Sequence, residues 1–247
     1  MTHEHIVKSY DEELNRISNN LLRMGGMVEV QLAQAIQALV KRDSELALRV
    51  VEADERVDEL ESEIDDTAIR LLALRQPLAI DLRETTAALK ISSDLERIGD
   101  YAANISKRAI AVSQFGPIPP VRSIPRMVEF AQGMIKDVLD AYVERDVEKA
   151  LDVWRRDGEL DEMYNGLFRE LLTYMMEDPR SITAGTHLLF IAKNIERIGD
   201  HVTNIAEMIN FLVSGTRKLQ PRPKGNATAL MAGLPERGPG GNGGGAR

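Results

Sequence analysis

The chain carries the pentapeptide ERIGD twice, at Glu96–Asp100 and Glu196–Asp200, and each copy is followed four residues later by an asparagine. In a helix, residues four positions apart lie one above the other. Each motif therefore places two carboxylates and an amide, that of Asn104 or Asn204, along one ridge. Carboxylate and amide oxygens are the donors that hard cations prefer.

Two further acidic pairs have the same spacing. They are Asp54 and Asp58 in "DERVD", and Asp157 and Asp161 in "DGELD". At 100° per residue these acids flank the apolar stripes of their helices, so four acids per half are expected to converge in a shallow, water-accessible place between two neighbouring helices. Like charges at this spacing are mildly destabilising. Their recurrence in four places favours a compensating cation such as Fe³⁺, Mn²⁺, Mg²⁺ or Ca²⁺.

A glycine precedes the aspartate in each ERIGD motif, although a helical glycine costs about 1 kcal/mol relative to alanine. Gly99 and Gly199 are expected to let a hydrated metal cluster or a facing helix approach closely. The competing interpretation is that these acids form ordinary surface ion pairs with Arg97, Arg197 or Arg56, worth about 0–1 kcal/mol each. Both interpretations stay open on spacing alone.

The composition limits the class of protein. The 247 residues are 43% hydrophobic and only 4% aromatic, which favours long helices around an apolar core. A formal net charge of −8 gives general nucleic-acid binding no electrostatic basis. Cysteine is absent, which excludes disulfides, thiolate metal sites and cysteine nucleophiles. The polar N-terminus and the lack of a long apolar run predict a cytoplasmic protein that meets membranes only through partners.

Hydrophobic periodicity predicts six long helices and no strands, hence an all-α fold. The first helix runs from about Ser9 to Lys41. Asp43 is the predicted N-cap of the second, which continues to about Arg75, where "RQPLAID" breaks it with a turn at Pro77. The third runs from about Asp81 to Ser113. The fourth ends near Arg145, and Asp146 caps the fifth. The fifth is broken by "EDPR" at 177–180, and the sixth ends near Val213.

The second half of the chain repeats the first. Residues 38–60 match residues 141–163 at 11 of 23 positions, and the ERIGD motifs match at a shift of 100. We interpret this as internal duplication of a three-helix unit. The predicted organisation is a first bundle at 1–114, a proline-rich linker at 115–125, a second bundle at 126–216 and a disordered basic Gly/Pro-rich tail at 217–247.

The paired ERIGD motifs, the acidic steps and the duplication resemble the PhoU family of phosphate-uptake regulators, over about His5 to Ser214. The resemblance implies two similar three-helix bundles side by side and multinuclear metal clusters, with iron foremost and Mn, Mg, Ca or Zn as alternatives. Carried over residue by residue, it implies the ligands Asp54, Asp58, Glu96, Asp100, Asp157, Asp161, Glu196 and Asp200, with Asn104 and Asn204 as second choices.

The resemblance also implies a function without catalysis. The expected role is negative regulation of the phosphate-starvation regulon, as an adaptor between the phosphate-specific ABC transporter and a sensor histidine kinase with its response regulator. A homodimer is expected. Two alternatives are a helical scaffold whose acids bind no metal and a carboxylate-bridged di-iron oxidoreductase. The second lacks the Glu-x-x-His ligation typical of such bundles.

Overall fold

The computed structural model describes residues 2–75 and 79–216, with the side chains of 12–74 and 81–216. The regular structure in these ranges is entirely helical, which confirms the all-α prediction. The α-helices are α1 (Thr2–Lys41), α2 (Ser44–Ala53), α3 (Glu55–Arg75), α4 (Ala79–Val112), α5 (Ile124–Glu144), α6 (Val147–Glu177) and α7 (Ile182–Ser214). Short 3-10 helices at Pro119–Ser123 and Pro179–Ser181 precede α5 and α7. The predicted turn at Pro77 and the predicted tail lie outside the described residues.

The same turn joins the first two helices of each half. The side chain of Asp43 accepts a hydrogen bond from the Leu46 amide at 2.9 Å, and that of Asp146 accepts one from the Lys149 amide at 3.0 Å. An N-cap carboxylate satisfies a backbone donor that has no partner inside the helix. Both predicted N-caps are therefore confirmed, and they mark the duplication at the level of single hydrogen bonds.

The predicted second helix differs in one respect, because it is interrupted at Asp54 and forms α2 and α3. The Asp54 carbonyl accepts hydrogen bonds from both the Val57 amide, at 2.8 Å, and the Asp58 amide, at 3.3 Å. This shared acceptor tightens the turn locally while the Asp54 backbone keeps helical angles. The corresponding helix α6 is continuous. The interruption therefore falls on a predicted ligand of the first half only.

The two halves share one core. Helices α1 to α4 form the first half and α5 to α7 the second, and buried apolar residues from both form a single continuous cluster. Helices α4 and α7 run antiparallel at the centre: Asp94 contacts His201, and Arg108, later on α4, contacts His187, earlier on α7. The ERIGD motifs lie on these two central helices. Among the described helices, none is both long enough and apolar enough to cross a bilayer.

Candidate functional site: two acidic clusters

The first acidic cluster consists of five carboxylates at the junction of α2, α3 and α4: Asp54, Asp58, Glu61, Glu96 and Asp100. Burial, followed by the charges of Asp58 and Asp100, raises the pKa of Asp54 to about 6. A carboxyl group responds in this way when it is desolvated close to like charges. Side chains from two separate helical segments are thus close enough to oppose one another's ionisation.

The pKa of Glu96 is also strongly raised in the first acidic cluster. Burial, followed by the charge of Asp100, raises its pKa to about 7, with smaller contributions from Glu61 and Asp58 and an opposing one from Arg97. Its side chain is only 17% exposed. At neutral pH this carboxylate is held in an environment that disfavours its charge.

Arg97 supplies part of the counter-charge. Its Nε lies 3.4 Å from Glu96 Oε2, and its Nη1 donates to Asp100 Oδ2 at 2.9 Å. The guanidinium-bearing side chain is 56% exposed, so the pairing is largely screened by water. Arg56, also considered from the sequence, pairs instead with Glu59. The surface ion-pair interpretation therefore holds for Arg97 and covers only part of the cluster.

Gly99 is the place where the facing helix approaches. A Cβ atom at this position would lie 2.9 Å from Asp54 Oδ1 and 3.4 Å from Gln31 Oε1. Asp54 Oδ1 and both amide atoms of Gln31 are buried without a hydrogen-bond partner in the structure. The glycine thus leaves room for two polar side chains beside the α4 backbone. This agrees with the expectation that Gly99 lets a facing helix approach closely.

The second acidic cluster consists of Asp157 and Asp161 on α6 and Glu196 and Asp200 on α7. A Cβ atom at Gly199 would lie 2.7 Å from Asp157 Oδ1, which repeats the arrangement at Gly99. Burial raises the pKa of Glu196, Lys193 opposes the shift, and Asp200 and Asp161 add to it. The four predicted acids of this half are therefore also gathered between two helices.

The expected water-accessible setting is wrong for two acids of the second cluster. Asp157 is 3% exposed and the side chain of Glu196 is 13% exposed. The angular placement on each single helix was sound, but the neighbouring helix packs over the flank because glycine lets it come close. Asp58 and Asp100 remain accessible at the outer edge of the first cluster.

The two asparagines differ in their contacts. Asn104 is exposed on α4. The Asn204 amide donates to Asp94 Oδ1 at 3.1 Å, and His201 Nδ1 lies 2.8 Å from the same oxygen. Asn204 thus takes part in a polar contact between the two halves. Its role as a second-choice ligand stays a prediction.

The donor chemistry of the clusters suits oxygen-preferring cations, but a ready-made cage is not present. In 12–74 and 81–216, no group of three or more Asp, Glu or His side chains is arranged so that it could hold a metal ion. A cation held through one or two carboxylates, with water completing its coordination as Mg²⁺ prefers, fits the accessible carboxylates Asp58 and Asp100, whereas the unpartnered Asp54 oxygen is buried. The ligand assignments of all ten predicted residues therefore remain predictions.

Sequence reasoning missed three residues that shape the clusters: Gln31, Glu61 and Lys193. Gln31 is 4% exposed among the apolar residues of α1, and an amide inside an apolar stripe was the signal available. Glu61 and Lys193 lie three residues from Asp58 and Glu196, on the same helix faces. Glu61 and Lys193 were missed because the prediction considered only acidic residues four positions apart.

These features define a duplicated helical-bundle protein. Its two three-helix units are related by duplication and share one core, and each carries an acidic cluster beside a helical glycine. The family model described as "PhoU domain" matches the chain twice, at residues 21–109 and 124–209. The chain belongs to the PhoU family. The two matches coincide with the two halves of the structure.

Relatives match along most of the chain. A protein of Caulobacter vibrioides named phosphate-specific transport system accessory protein PhoU homolog is 57% identical, covering 90% of this chain and 96% of its own length. One of the same name from Rhizobium meliloti is 47% identical, covering 94% and 98% respectively.

Solved structures are similar as well. The crystal structure of PhoU from Pseudomonas aeruginosa superposes with a TM-score of 0.81 at 41% identity, covering 84% of this chain and all of that one. The phosphate transport system regulatory protein PhoU from Streptococcus pneumoniae gives 0.79 at 30% identity, covering 85% and 99%.

Proposed function

We propose that this protein is a negative regulator of phosphate uptake and of the phosphate-starvation regulon. It acts as an adaptor that connects the phosphate-specific ABC transporter with a sensor histidine kinase and its response regulator. The observation that carries this proposal is the match over 90% of the chain to a relative named as an accessory protein of the phosphate-specific transport system. The Streptococcus pneumoniae neighbour, named as a regulatory protein of phosphate transport, supports it.

The surface chemistry supports an adaptor role. Residues 1–216 carry 25 basic and 38 acidic side chains, a net charge of −13. Such a surface favours basic protein partners and disfavours direct contact with anionic lipid. We propose that the protein works in the cytoplasm as a homodimer and reaches the inner membrane through its partners.

Cation binding at the acidic clusters is part of the proposal. The raised pKa values of Asp54 and Glu96 reflect repulsion and desolvation that a bound cation relieves. Iron is the first candidate because of the family resemblance, with Mn, Mg, Ca and Zn as alternatives; the oxygen donors themselves suit Mg²⁺, Ca²⁺ and Mn²⁺. Asp58 and Asp100, which are accessible at the outer edge of the first cluster, are expected to present such a cation to a partner.

The regulatory proposal is tested by deleting the gene and measuring phosphate-scavenging gene expression with a reporter in high phosphate. We expect the reporter to be strongly active in the deletion strain and silent again when the full-length chain is supplied. A variant changed at an exposed residue away from the acidic clusters, Glu12→Gln, is the matched control and restores silence. A deletion strain that keeps the reporter silent contradicts the proposal.

The adaptor mechanism is tested by pull-down of the tagged full-length chain from membranes of cells grown in high or low phosphate. We expect the transporter and the kinase to be recovered together, and in different amounts under the two conditions. Recovery of neither membrane protein under either condition excludes the adaptor mechanism, even if the deletion phenotype is as expected.

A further inference from the structure

An open groove runs between α5 and α6 in the second half, and its lining includes no residue of the two acidic clusters. The groove has a volume of about 930 Å³. Its floor is apolar, because Met127 and Leu167 are buried there and Phe130 and Met163 are partly buried. On α6 the lining extends from Glu159 to Glu170, about 16 Å at 1.5 Å per residue, which is the length of three helical turns.

Contacts at the two ends of the groove fix the direction of its walls. At one end the Ser123 hydroxyl of α5 donates to Glu170 Oε2 of α6 at 2.9 Å. At the other end the Arg156 guanidinium of α6 lies 5.4 Å from the centre of the Phe130 ring of α5. The two helices therefore run antiparallel along the groove.

The rim of the groove is charged, and its charges are unevenly distributed. Glu129, Glu159 and Glu162 lie toward the Phe130 end, whereas Arg122 and Arg126 lie toward the opposite end. None of these five side chains is in an ion pair with another side chain that the structure describes. One end of the groove thus presents three unneutralised carboxylates beside an apolar floor.

The matching surface of the first half is bridged by a hydrogen bond. The Asn20 amide of α1 donates to Glu63 Oε2 of α3 at 3.3 Å. At the shift of 103 residues that relates the two halves, the corresponding residues are Ser123 and Gly166. Gly166 lies on the groove face of α6, since it is seven residues from Glu159 and four from Glu170, and a Cβ at Gly166 would meet nothing within 4 Å. The second half therefore leaves open what the first half bridges.

We infer that this groove binds an amphipathic helix of a partner protein, with the helix's apolar side chains on the floor and its Lys or Arg side chains over Glu129, Glu159 and Glu162. Helices bind in grooves through apolar anchors at a spacing of three to four residues. Methionines such as Met127 and Met163 adapt their shape to such anchors. This inference rests on the adaptor role proposed above, since it names the surface that one partner contacts.

Charge and composition favour a partner helix over other occupants. A second copy of the chain would bring an acidic surface, because residues 1–216 carry a net charge of −13, and the three glutamates would repel it. The predicted tail at 217–247 is basic, but eight of its residues are glycine and four are proline. Such a composition does not favour the helix that the groove fits.

The test uses full-length protein and a fluorescein-labelled peptide of about 14 residues, with leucines at helical spacing and lysine and alanine elsewhere. Fluorescence anisotropy is expected to show saturable one-to-one binding. A peptide of the same composition with its leucines out of helical phase is expected not to bind. Glu162→Lys is expected to weaken binding about 10-fold, whereas the matched first-half variant Glu59→Lys, with the same change in net charge, changes it less than about 2-fold.

Gly166→Leu separates binding from folding. The leucine side chain enters the groove, so peptide binding is expected to weaken by about 10-fold or more, while thermal stability is unchanged or higher because leucine favours helix. Gly158→Leu is the matched control, since a Cβ at Gly158 also meets nothing within 4 Å but points away from the groove face. Circular dichroism verifies that each variant is folded.

Cross-linking identifies the occupant. Because the chain has no cysteine, Glu159→Cys carries a single benzophenone on the rim, and irradiation with the peptide is expected to give an adduct of one protein and one peptide. Cross-linking of the protein alone to its own tail or to a second chain assigns the groove to that occupant and overturns the inference. So does the absence of saturable peptide binding, an equal loss in Glu59→Lys and Glu162→Lys, or wild-type binding by folded Gly166→Leu. None of these results affects the regulatory proposal, which the gene deletion decides separately.

Discussion

Asp157 Oδ1 lies against the backbone of Gly199, 2.7 Å from where a Cβ would be, and Asp54 Oδ1 lies against Gly99 in the same way at 2.9 Å. The glycine of each ERIGD motif is thus explained by the carboxylate of the facing helix. The two sites differ in what else is near. Leu160 Cδ2 would lie 2.5 Å from a Cβ at Gly199, and Leu160 is fully buried.

Gly199→Ala is therefore expected to destabilise the protein. Alanine gains up to about 1 kcal/mol of helix propensity, but forcing a methyl group against a buried leucine typically costs about 1–3 kcal/mol or more. Urea unfolding measures the difference. Gly158→Ala on α6, where a Cβ would meet nothing within 4 Å, is the matched control and should be neutral or stabilising. Equal stability changes in the two variants would show that the close approach has no energetic importance.

The pH dependence of stability follows from the first acidic cluster. The pKa of Asp54 is raised to about 6 and that of Glu96 to about 7, whereas both groups titrate near pH 4 in an unfolded chain. Between about pH 4 and pH 7 the folded state binds more protons, so these two groups make the free energy of unfolding of the metal-free protein fall as pH rises. Urea unfolding at pH 5.0, 6.0 and 7.5 measures this fall.

The double variant Asp54→Asn/Glu96→Gln isolates that contribution. It is expected to flatten the pH profile and to be more stable than the wild type at pH 7.5, because its neutral amides carry no charge to be desolvated or to be repelled by Asp58 and Asp100. Arg97→Gln keeps both carboxyl groups but removes the guanidinium that lowers the pKa of Glu96, so it is expected to steepen the pH profile. A double variant that unfolds more easily than the wild type at pH 7.5 contradicts the predicted sign of the effect.

Lys193 is expected to stabilise the second half. Lys193→Met keeps an apolar stem but leaves Glu196, whose side chain is 13% exposed, without its ammonium partner. We expect a loss of about 1–3 kcal/mol at pH 8 and a smaller loss at pH 5, where Glu196 is protonated more readily because burial raises its pKa. The cycle completed with Glu196→Gln and the double variant measures the coupling. A coupling energy of zero would show that the ion pair between Lys193 and Glu196 does not stabilise the protein.

The contact between the halves at Asp94 makes a separate prediction. Asp94 Oδ1 contacts His201 Nδ1 and accepts a hydrogen bond from the Asn204 amide, and the Asp94 side chain is 15% exposed. Asp94→Ala is expected to destabilise the protein by about 1–2 kcal/mol, since it leaves two polar groups without their shared acceptor. Asn194→Ala, the matched change on α7, should cost less. Thermal unfolding compares the two variants, and an equal effect would count against a specific contact.

A good part of the fold could be predicted from the sequence. The 3–4 spacing of apolar residues predicted each long helix, because burying one face of a helix requires it. Asp43 and Asp146 were predicted as N-caps because a helix start leaves backbone amides to be satisfied by a nearby side chain. These signals depend only on residues that are close in sequence, so one amino-acid sequence is enough to recognise them. The interruption at Asp54 was not predicted, since it changes one hydrogen bond and leaves the backbone angles helical.

The candidate site was predicted in part. The spacing of Glu96 and Asp100 determined that they share a ridge, and the repeat determined that Glu196 and Asp200 do the same. Only the tertiary structure decided that Asp157 is buried, that Gln31 of α1 reaches Gly99, and that Lys193 is held over Tyr164. These contacts join residues distant along the chain. They depend on how closely helices approach, and no periodicity within one helix records that distance.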